Sequence, residues 1–301
     1  MKEQLQSPYN YVIGVDGGGT GTRVLVADQS GRELARASAG PSGLMHGSKA
    51  AWASILAAID AAFLETGIKT HDLSECVIAC GLAGVHNKVW AQEFCDANPG
   101  FAGLVLETDA FTTLLGAHQG RPGAIIALGT GSVGEVMQAD GSRREVGGWG
   151  FPSSDEASGA WMGLRAINHL QHVLDGRARD NAFAQALLTH CGGHRDAVFN
   201  WLAGANQTRF AQLAPIVIEY AASQPQAGDI LSAAGREVEK MANALDPTAT
   251  MPIALCGGLA EAVWPYLPQA VLPRMTRPQG DSVQGALILV MQRFEQKYAM
   301  D

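Results

Sequence analysis

Residues 11–27 read YVIGVDGGGTGTRVLVA, which is an apolar run rich in β-formers, a turn made largely of glycine, and a second apolar run. This pattern predicts strands over 11–15 and 22–27, and a third strand follows over 32–37. The chain therefore opens with strands that fold back on one another around a short turn.

The turn at 16–20, DGGGT, carries the strongest chemical signal. Glycines let the backbone approach an anion and direct successive N–H groups at it, and Thr20 and Thr22 add hydroxyl donors. Asp16 cannot bind phosphate directly, but it can hold Mg²⁺ through water beside phosphates. The patterns GxGxxG and GxxxxGKS/T do not occur here, which argues against a dinucleotide fold and a P-loop. We predict a polyphosphate-binding loop rather than a plain hairpin turn.

The same plan begins again near the middle of the chain. A strand over 124–128, the turn Gly129-Thr130-Gly131-Ser132 and a strand over 134–137 repeat the first arrangement. We interpret this as two related α/β halves, each with a mixed sheet, whose turns grip one polyphosphate from opposite sides. A third turn, Gly257-Gly258-Leu259, follows the strand 252–256 and suits a purine and ribose.

Between these turns the periodicity predicts helices and further strands. Ser48 is expected to cap a helix whose apolar face carries Trp52, Ile55, Ile59 and Phe63. Other elements are expected as strands over 76–79 and 104–106, helices over 88–97, 111–117 and 281–298, and a mostly helical region over 155–244.

Two carboxylates stand where a ligand could bind. Asp109 follows the strand 104–106, and a carboxylate there can take a proton from an attacking hydroxyl, with helix N-capping as the competing role. Asp155 lies in the loop 147–156, GGWGFPSSDE, where helix capping competes equally with sugar binding. The loop combines a Trp side chain, which can form a flat apolar wall, with polar groups that can form hydrogen bonds. Pockets that bind sugars combine both.

Composition limits the partners. The 301 residues carry 21 Lys and Arg against 29 Asp and Glu, a formal charge of −8. This argues against nucleic acid or an anionic membrane as main partner, because both need a cationic face. Five cysteines without a CxxC pair fit neither a disulfide framework nor a zinc site, and residues 1–6 lack the apolar core of a signal peptide. We expect a soluble, cytoplasmic protein.

The three turns in this order resemble those of the sugar kinase, Hsp70 and actin ATPase superfamily, and the match narrows to its N-acetylglucosamine kinase and BadF/BadG ATPase family. The resemblance runs over nearly the whole chain. Gly148-Trp149-Gly150 with Asp155-Glu156 is similar to the sugar loop of N-acetylglucosamine kinases, whereas Phe151-Pro152 before Ser154-Asp155 resembles bacterial glucosamine kinases more closely. Thr108-Asp109-Ala110 is similar to the catalytic aspartate segment of both.

The resemblance implies two ribonuclease H-like, actin-like ATPase domains with a cleft between them that closes on the substrate. The first domain would be 1–120, joined by the C-terminal helix 286–301, and the second 121–285 with a helical insertion. A homodimer is common in this family.

The resemblance also implies roles for single residues. Asp109 would be the catalytic base that takes the proton from the 6-hydroxyl of an aminosugar, and Asp16 would hold Mg²⁺ through water. The residues expected to bind ATP are Asp16, Gly17, Gly18, Gly19, Thr20, Thr130, Gly131, Gly257 and Gly258. Those expected to bind the sugar are Gly84, Asp109, Ser132, Gly148, Trp149, Gly150 and Asp155.

Two departures from the family pattern bear on the sugar. Segment 40–44, GPSGL, lacks the Asn that the family often has after the third strand, and Ala83 stands where the vertebrate form has Ser. With the FPSSD pattern, they favour glucosamine first and N-acetylglucosamine second.

Two other functions remain as alternatives. A BadF-type ATPase that activates a dehydratase needs cysteines to hold an iron–sulfur cluster between subunits. A non-catalytic sugar sensor of the related ROK kind needs a DNA-binding segment, for which a first strand starting near Tyr9 leaves no room.

Overall fold

The structure is a computed structural model of the chain and describes residues 9–68 and 72–298. Residues 1–6, on which the expectation of no signal peptide depends, lie outside these ranges. The chain packs as two compact units, one made of Met1–Pro122 with Pro278–Asp301 and the other of Gly123–Arg277. Residues 278–285 pack with the first unit, whereas the boundary between the domains was predicted to lie after residue 285.

The described residues form strands and helices in both units. The strands are β1 (Tyr11–Gly17), β2 (Thr22–Asp28), β3 (Glu33–Ala39), β4 (Cys76–Leu82), β5 (Gly103–Glu107), β6 (Gly123–Leu128), β7 (Ser132–Met137), β8 (Arg143–Gly147), β9 (Ile253–Cys256) and β10 (Met275–Thr276). The α-helices are α1 (Ser48–Glu65), α2 (Lys88–Asp96), α3 (Asp109–His118), α4 (Gly159–Leu174), α5 (Ala182–His190), α6 (Arg195–Ala203), α7 (Gln207–Ala211), α8 (Ala214–Tyr220), α9 (Pro225–Leu245), α10 (Ala260–Val263) and α11 (Ser282–Tyr298).

A five-stranded mixed sheet of order β3-β2-β1-β4-β5 forms the centre of the first unit. β1, β2 and β3 pair antiparallel, while β4 and β5 run parallel to β1. The β1–β2 ladder continues to Gly17 opposite Thr22, so the strand is longer than predicted and the turn shorter. In the parallel part Asp16 lies beside Gly81, and Gly81 beside Glu107, so β1 and β5 end at the same edge of the sheet.

Helices cover both faces of this sheet. The predicted apolar face of α1 is buried, and this confirms the prediction. The face packs in one core with inward residues of β1 such as Ile13 and Val15. The predicted cap Ser48 is wrong, because Ser48 is already the first helical residue and Gly47 precedes it at φ 87° without a side-chain cap. Val12 faces the other way and packs against α11.

Helix α11 contacts the sheet and α3 at backbone distance, at three glycines. A β-carbon at Gly14 would lie 2.5 Å from Val283 O, one at Gly116 would lie 1.9 Å from Asp281 O, and one at Gly285 would lie 1.7 Å from Thr112 O. Any side chain at these glycines would push the C-terminal helix away from β1 and α3.

The second unit repeats the plan with a five-stranded mixed sheet of order β10-β9-β6-β7-β8. β6, β7 and β8 are antiparallel, and β9 is parallel to β6, which confirms the prediction of two related halves. Strand β8 was not predicted, because its residues are mostly charged and its first three are exposed. The predicted helical region over 155–244 contains α4 to α9 and is confirmed. No helix in the described ranges combines the length and apolar character needed to cross a bilayer.

Candidate active site

Asp16 lies near the end of β1, opposite Arg23 in the antiparallel ladder. Arg23 Nε and Nη2 donate to Asp16 Oδ2 over 2.9 and 2.5 Å, and Ser282 Oγ donates to Asp16 Oδ1 over 2.8 Å. The Asp16 side chain is 18% exposed and that of Arg23 is 56% exposed. The carboxylate is therefore held through both oxygens while it remains accessible to solvent.

A pocket of about 380 Å³ opens at this point of the first unit. It is lined by Asp16, Gly17, Gly18, Thr20, Gly21, Thr22, Arg23, Ser38, Ala39 and Asp109. The predicted phosphate loop and the predicted catalytic base thus share one pocket, and Gly19 lies within the same loop.

The glycines of the first turn differ in what surrounds them. A β-carbon at Gly17 would lie 1.9 Å from Ser42 Oγ, whereas one at Gly18 or Gly19 would meet nothing within 4 Å. Gly18 O accepts hydrogen bonds from the backbone N–H groups of Ser42 and Gly43, over 3.2 and 3.0 Å. Gly17 is therefore needed for packing, and the next two glycines leave space for a ligand.

The two threonines of the turn also differ. Thr20 is exposed, so its hydroxyl is available to a ligand. Thr22 is buried, and its Oγ1 lies 2.6 Å from Gly40 O and 2.7 Å from Ser42 Oγ. The sequence predicts that the Thr22 hydroxyl donates to phosphate, but in the structure this hydroxyl forms hydrogen bonds within the protein and stabilises the loop.

Asp109 is the first residue of α3, two positions beyond the end of β5. The helix cap is Thr108, whose Oγ1 accepts from Phe111 N over 3.1 Å, so the competing capping role does not belong to Asp109. Asp109 Oδ1 accepts from Ala110 N over 3.0 Å. Burial raises the pKa of Asp109, and the negative charge of Asp16 raises it further. A carboxylate with a raised pKa is a stronger proton acceptor than an ordinary aspartate.

The turn after β4 lies against the first loop. Ala83 N donates to Gly17 O over 2.9 Å, and Ala83 O accepts from Leu44 N over 2.9 Å. Gly84 has φ 94°, and a β-carbon there would be 3.3 Å from Leu44 Cβ. Both departures from the family pattern therefore contact the first turn: Ser42, within the segment 40–44, donates its N–H to Gly18 O, and Ala83 donates its N–H to Gly17 O.

In the second unit, the turn at 129–132 is held by the beginning of α4. Gly159 N donates to Gly129 O over 2.9 Å, and Ala160 N donates to Thr130 O over 3.2 Å. The first N–H groups of α4 are therefore used by the carbonyls of the turn itself, which fixes the turn on the helix.

Asp155 is buried beside this turn, at φ 65°. Its Oδ2 accepts from Gln207 Nε2 over 2.6 Å, and the backbone N–H groups of Ser132 and Gly150 also donate to its carboxylate. Burial raises the pKa of Asp155 despite these hydrogen bonds. The cap of α4 is Ser158, so the capping role considered for Asp155 is wrong. These contacts hold the second turn in place, and sugar binding by Asp155 stays a prediction.

The predicted sugar loop has a backbone that glycine favours. Gly148 and Gly150 have φ values of 71° and 95°. Trp149 is 87% exposed and lines a pocket of about 570 Å³ with residues of α9. The Ser132 hydroxyl donates over 2.7 Å to the backbone carbonyl of Glu156, a residue that lines the same pocket.

The third turn combines one packed glycine with one open glycine. Gly257 has φ 89°, and a β-carbon there would lie 2.3 Å from Leu128 O. Leu259 N donates to the same carbonyl over 3.2 Å. Gly258 has nothing within 4 Å of such a β-carbon.

Three residues of these sites were missed from the sequence. Arg23 could have been found, because the hairpin register places it directly across from Asp16. Ser282 lies at the beginning of the helix predicted over 281–298, where no signal relates it to Asp16, and Gln207 carries no sequence signal that relates it to Asp155.

Comparison with known proteins places the chain among ATPases and kinases. The sequence matches the model of the BadF/BadG/BcrA/BcrD ATPase family over residues 13–289. It is 33% identical to the glucosamine kinase GspK of Vibrio cholerae serotype O1, over 93% of this chain and 95% of that protein. It is 48% identical to a Chromobacterium violaceum protein assigned as an N-acetylglucosamine kinase, with a TM-score of 0.92 over 94% of this chain and 99% of that one.

A more distant structure shares the fold alone. The activator of 2-hydroxyisocaproyl-CoA dehydratase from Clostridium difficile, solved with bound ADPNP, is 10% identical with a TM-score of 0.53, over 97% of this chain and 98% of that one. The predicted α/β fold is confirmed by the two mixed sheets and by this likeness. The match over residues 13–289 confirms the predicted family as well, and the chain belongs to the BadF/BadG/BcrA/BcrD ATPase family.

Proposed function

We propose that this protein is an ATP-dependent kinase that phosphorylates the 6-hydroxyl of an aminosugar, with glucosamine as first substrate and N-acetylglucosamine as second. One observation carries the proposal, namely that the open glycine turn and the Asp109 carboxylate line the same pocket. Phosphoryl transfer needs an anion-binding cradle and a group that positions the attacking hydroxyl in one place. Similarity to a glucosamine kinase over nearly the whole chain supports the sugar class.

The first turn would bind the phosphates of ATP. Gly18 and Gly19 leave free space beside the backbone, and the Thr20 hydroxyl is exposed. Asp16 fits a hydrated Mg²⁺, because its Oδ1 accepts one hydrogen bond, from Ser282, and keeps a lone pair for a water ligand. Mg²⁺ supplies neutralisation of the phosphate charge when it is bound.

Asp109 would accept the proton of the sugar 6-hydroxyl. Its raised pKa favours this role, because proton transfer is most efficient when the pKa of the base approaches the working pH. The same carboxylate would orient the hydroxyl for attack on the terminal phosphate.

The second unit would bind other parts of the two substrates. In this proposal Thr130 and Gly131 contact phosphates, and Gly257 and Gly258 contact adenosine. The sugar contacts would come from Ser132, Gly148, Trp149, Gly150 and Asp155 of this unit and from Gly84 of the first. A ligand can contact only accessible groups. Among these residues, Trp149 has a largely exposed side chain and Gly258 has free space beside its backbone.

A coupled kinase assay tests the proposal. ADP formation is followed with glucosamine, N-acetylglucosamine, glucose and mannosamine, and the product is analysed by phosphorus NMR to locate the ester. We expect a kcat/KM at least tenfold higher for glucosamine than for N-acetylglucosamine, which corresponds to about 1.4 kcal/mol of differential transition-state binding. A tenfold preference for N-acetylglucosamine would reverse the ranking, and the absence of turnover with every aminosugar would overturn the kinase proposal.

The two alternatives predict different behaviour. A dehydratase activator would be coloured by its cluster, and we expect a colourless protein, since four of the five cysteines are buried and burial raises the pKa of Cys256 to about 12. A sugar sensor would bind glucosamine without turnover of ATP. The proposal also includes a cytoplasmic location and a homodimer. Light scattering, which measures the mass of the particle in solution, would test the homodimer.

A further inference from the structure

Ser282 begins α11, and its hydroxyl reaches the carboxylate of Asp16 from the other end of the chain. The two residues are 266 positions apart, and the hydrogen bond from Ser282 Oγ to Asp16 Oδ1 measures 2.8 Å. Ser282 is buried, with 5% exposure, whereas the Arg23 side chain on the other carboxylate oxygen is mostly exposed. Of the two partners of Asp16, Ser282 is the one shielded from competing water.

The Ser282 hydroxyl also contacts a second buried hydroxyl, that of Thr112. Thr112 Oγ1 lies 3.0 Å from Ser282 Oγ. A serine hydroxyl has one hydrogen, and here it points to Asp16, so Ser282 Oγ can only accept from Thr112. The single hydrogen of the Thr112 hydroxyl is shared between Ser282 Oγ and Asp109 O, which lies 3.1 Å from Thr112 Oγ1. Thr112 belongs to α3, the helix that starts with Asp109. The hydroxyl pair therefore connects Asp16 with the helix that carries the proposed base.

Close backbone packing fixes the position of this hydroxyl. Gly14 of β1, Gly116 of α3 and Gly285 of α11 allow the helices and the strand to touch without intervening side chains. Because the first turn of α11 lies directly on β1 and α3, Ser282 has little freedom to move relative to Asp16.

We propose that Ser282 is a positioning residue for Asp16. By donating to Oδ1 it would fix the rotation of the carboxylate, so that the remaining lone pairs face the pocket in which a hydrated divalent cation binds with the nucleotide. The inference rests on the proposed function only in that Asp16 holds the cation through water, and it does not depend on which sugar is phosphorylated.

The test measures cation affinity without any sugar. Mn²⁺ is titrated into the protein in the presence of ADP, and free Mn²⁺ is followed by electron paramagnetic resonance. We expect Ser282→Ala to weaken Mn²⁺ binding roughly 10–100-fold, as loss of a partner of a metal-binding group does. Ser282→Thr, which keeps the hydroxyl, is expected to retain the affinity. The matched control is Ser30→Ala, which removes a serine–aspartate hydrogen bond of 2.6 Å to Asp28 at the far end of β2.

A double-mutant cycle separates positioning from a merely structural role. In an Asp16→Asn background, Ser282→Ala should cause no further loss of Mn²⁺ affinity, because the residue acts through Asp16. Additive losses, or undiminished binding by a folded Ser282→Ala variant, would overturn the inference and leave the kinase proposal intact. Absence of Mn²⁺ binding by the unmodified chain with ADP would overturn both. If Ser282→Thr does not fold, the double-mutant cycle alone decides.

Discussion

Gln207 Nε2 donates to Asp155 Oδ2 over 2.6 Å and so ties helix α7 to the carboxylate beside the second turn. A β-carbon at Gly131 would lie 2.8 Å from that oxygen and 3.0 Å from Gln207 Nε2. The amide, the carboxylate and the turn are thus in mutual contact, and the position of the turn depends on a residue from a separate helix.

Gln207→Leu removes the side-chain donor of Asp155 while the backbone donors remain. A hydrogen bond to a charged group contributes about 1.5–3 kcal/mol, so we expect kcat/KM of the sugar kinase reaction to fall about tenfold or more. Steady-state kinetics with the sugar and with ATP measure the change. Gln185→Leu is the control, because Gln185 Nε2 donates to the exposed Asp180 over 2.8 Å. Equal kinetics for both variants would contradict a role of Gln207 in the site.

Asp109→Asn should abolish phosphorylation while nucleotide binding survives. Removal of a general base costs roughly 10²–10⁴ in rate, and the amide keeps the shape of the side chain. Turnover is measured by the coupled assay and ADP binding by calorimetry. Asp96→Asn on helix α2, where Asp96 Oδ1 accepts from the side chain of Gln92, serves as the control. Turnover of Asp109→Asn near that of the unmodified chain would remove Asp109 from the mechanism.

The same substitution should stabilise the protein at neutral pH. The folded-state pKa of Asp109 is raised by burial and by Asp16, so folding favours the protonated form and the ionised form costs stability. Asp109→Asn removes this cost in full above the raised pKa. The gain should shrink as the pH falls from the raised pKa to the ordinary aspartate pKa, and it should be absent below that value, where both states are neutral. Thermal unfolding across pH measures it. A lower melting temperature for the variant at pH 7 would contradict the sign.

Asp16→Asn should lower the pKa of Asp109, because the charge of Asp16 is the second cause of its increase, after burial. Carboxyl carbon NMR of the labelled protein follows the titration directly. We expect the Asp109 midpoint to move to lower pH while remaining raised by burial. An unchanged midpoint would show that the two carboxylates do not interact.

Gly257→Ala and Gly258→Ala form a pair with different outcomes. Gly257 has φ 89° and a β-carbon there would overlap Leu128 O, so we expect Gly257→Ala to destabilise the second unit by about 1–3 kcal/mol. Gly258 has free space, so Gly258→Ala should leave stability unchanged and alter nucleotide affinity alone. Chemical denaturation and calorimetry distinguish the two effects. Equal stability losses would show that the turn has no ligand-facing side.

Gly18→Val should weaken nucleotide binding in a folded protein. Nothing lies within 4 Å of a β-carbon at Gly18, so a valine fits sterically but occupies the space next to the loop backbone. Gly17→Val is the contrasting variant, since its side chain would overlap Ser42 and should disturb the fold. Calorimetry with ADP, after circular dichroism, separates the two cases. Unchanged affinity for Gly18→Val would remove this turn from the nucleotide site.

Much of the fold could be predicted because it depends on local chemistry. Apolar runs rich in β-formers on either side of the DGGGT and GTGS turns predicted both antiparallel openings, and apolar spacing predicted the buried face of α1. Strand β8 was missed, because an exposed edge strand needs no apolar residues and RREVG shows no alternation.

The candidate site was predictable only in part. Asp109 could be found because a strand end is a local signal, whereas the contacts that orient the carboxylates join residues far apart in sequence. Ser282 reaches Asp16 through the packing of a helix onto a sheet, and Gln207 reaches Asp155 from a short helix. Such contacts depend on tertiary packing, which spacing along the chain does not encode.

The placement of α11 has a consequence for biosynthesis. The second unit is continuous, Gly123–Arg277, so all of its residues leave the ribosome before the last helix of the first unit does. The second unit can therefore form its core before α11, which covers one face of the first sheet, has been synthesised. Because Ser282 arrives with that helix, Asp16 gains its buried partner only after the whole second unit has been synthesised. A product that ended before α11 would carry the glycine turn without the hydroxyl that we propose orients the Asp16 carboxylate.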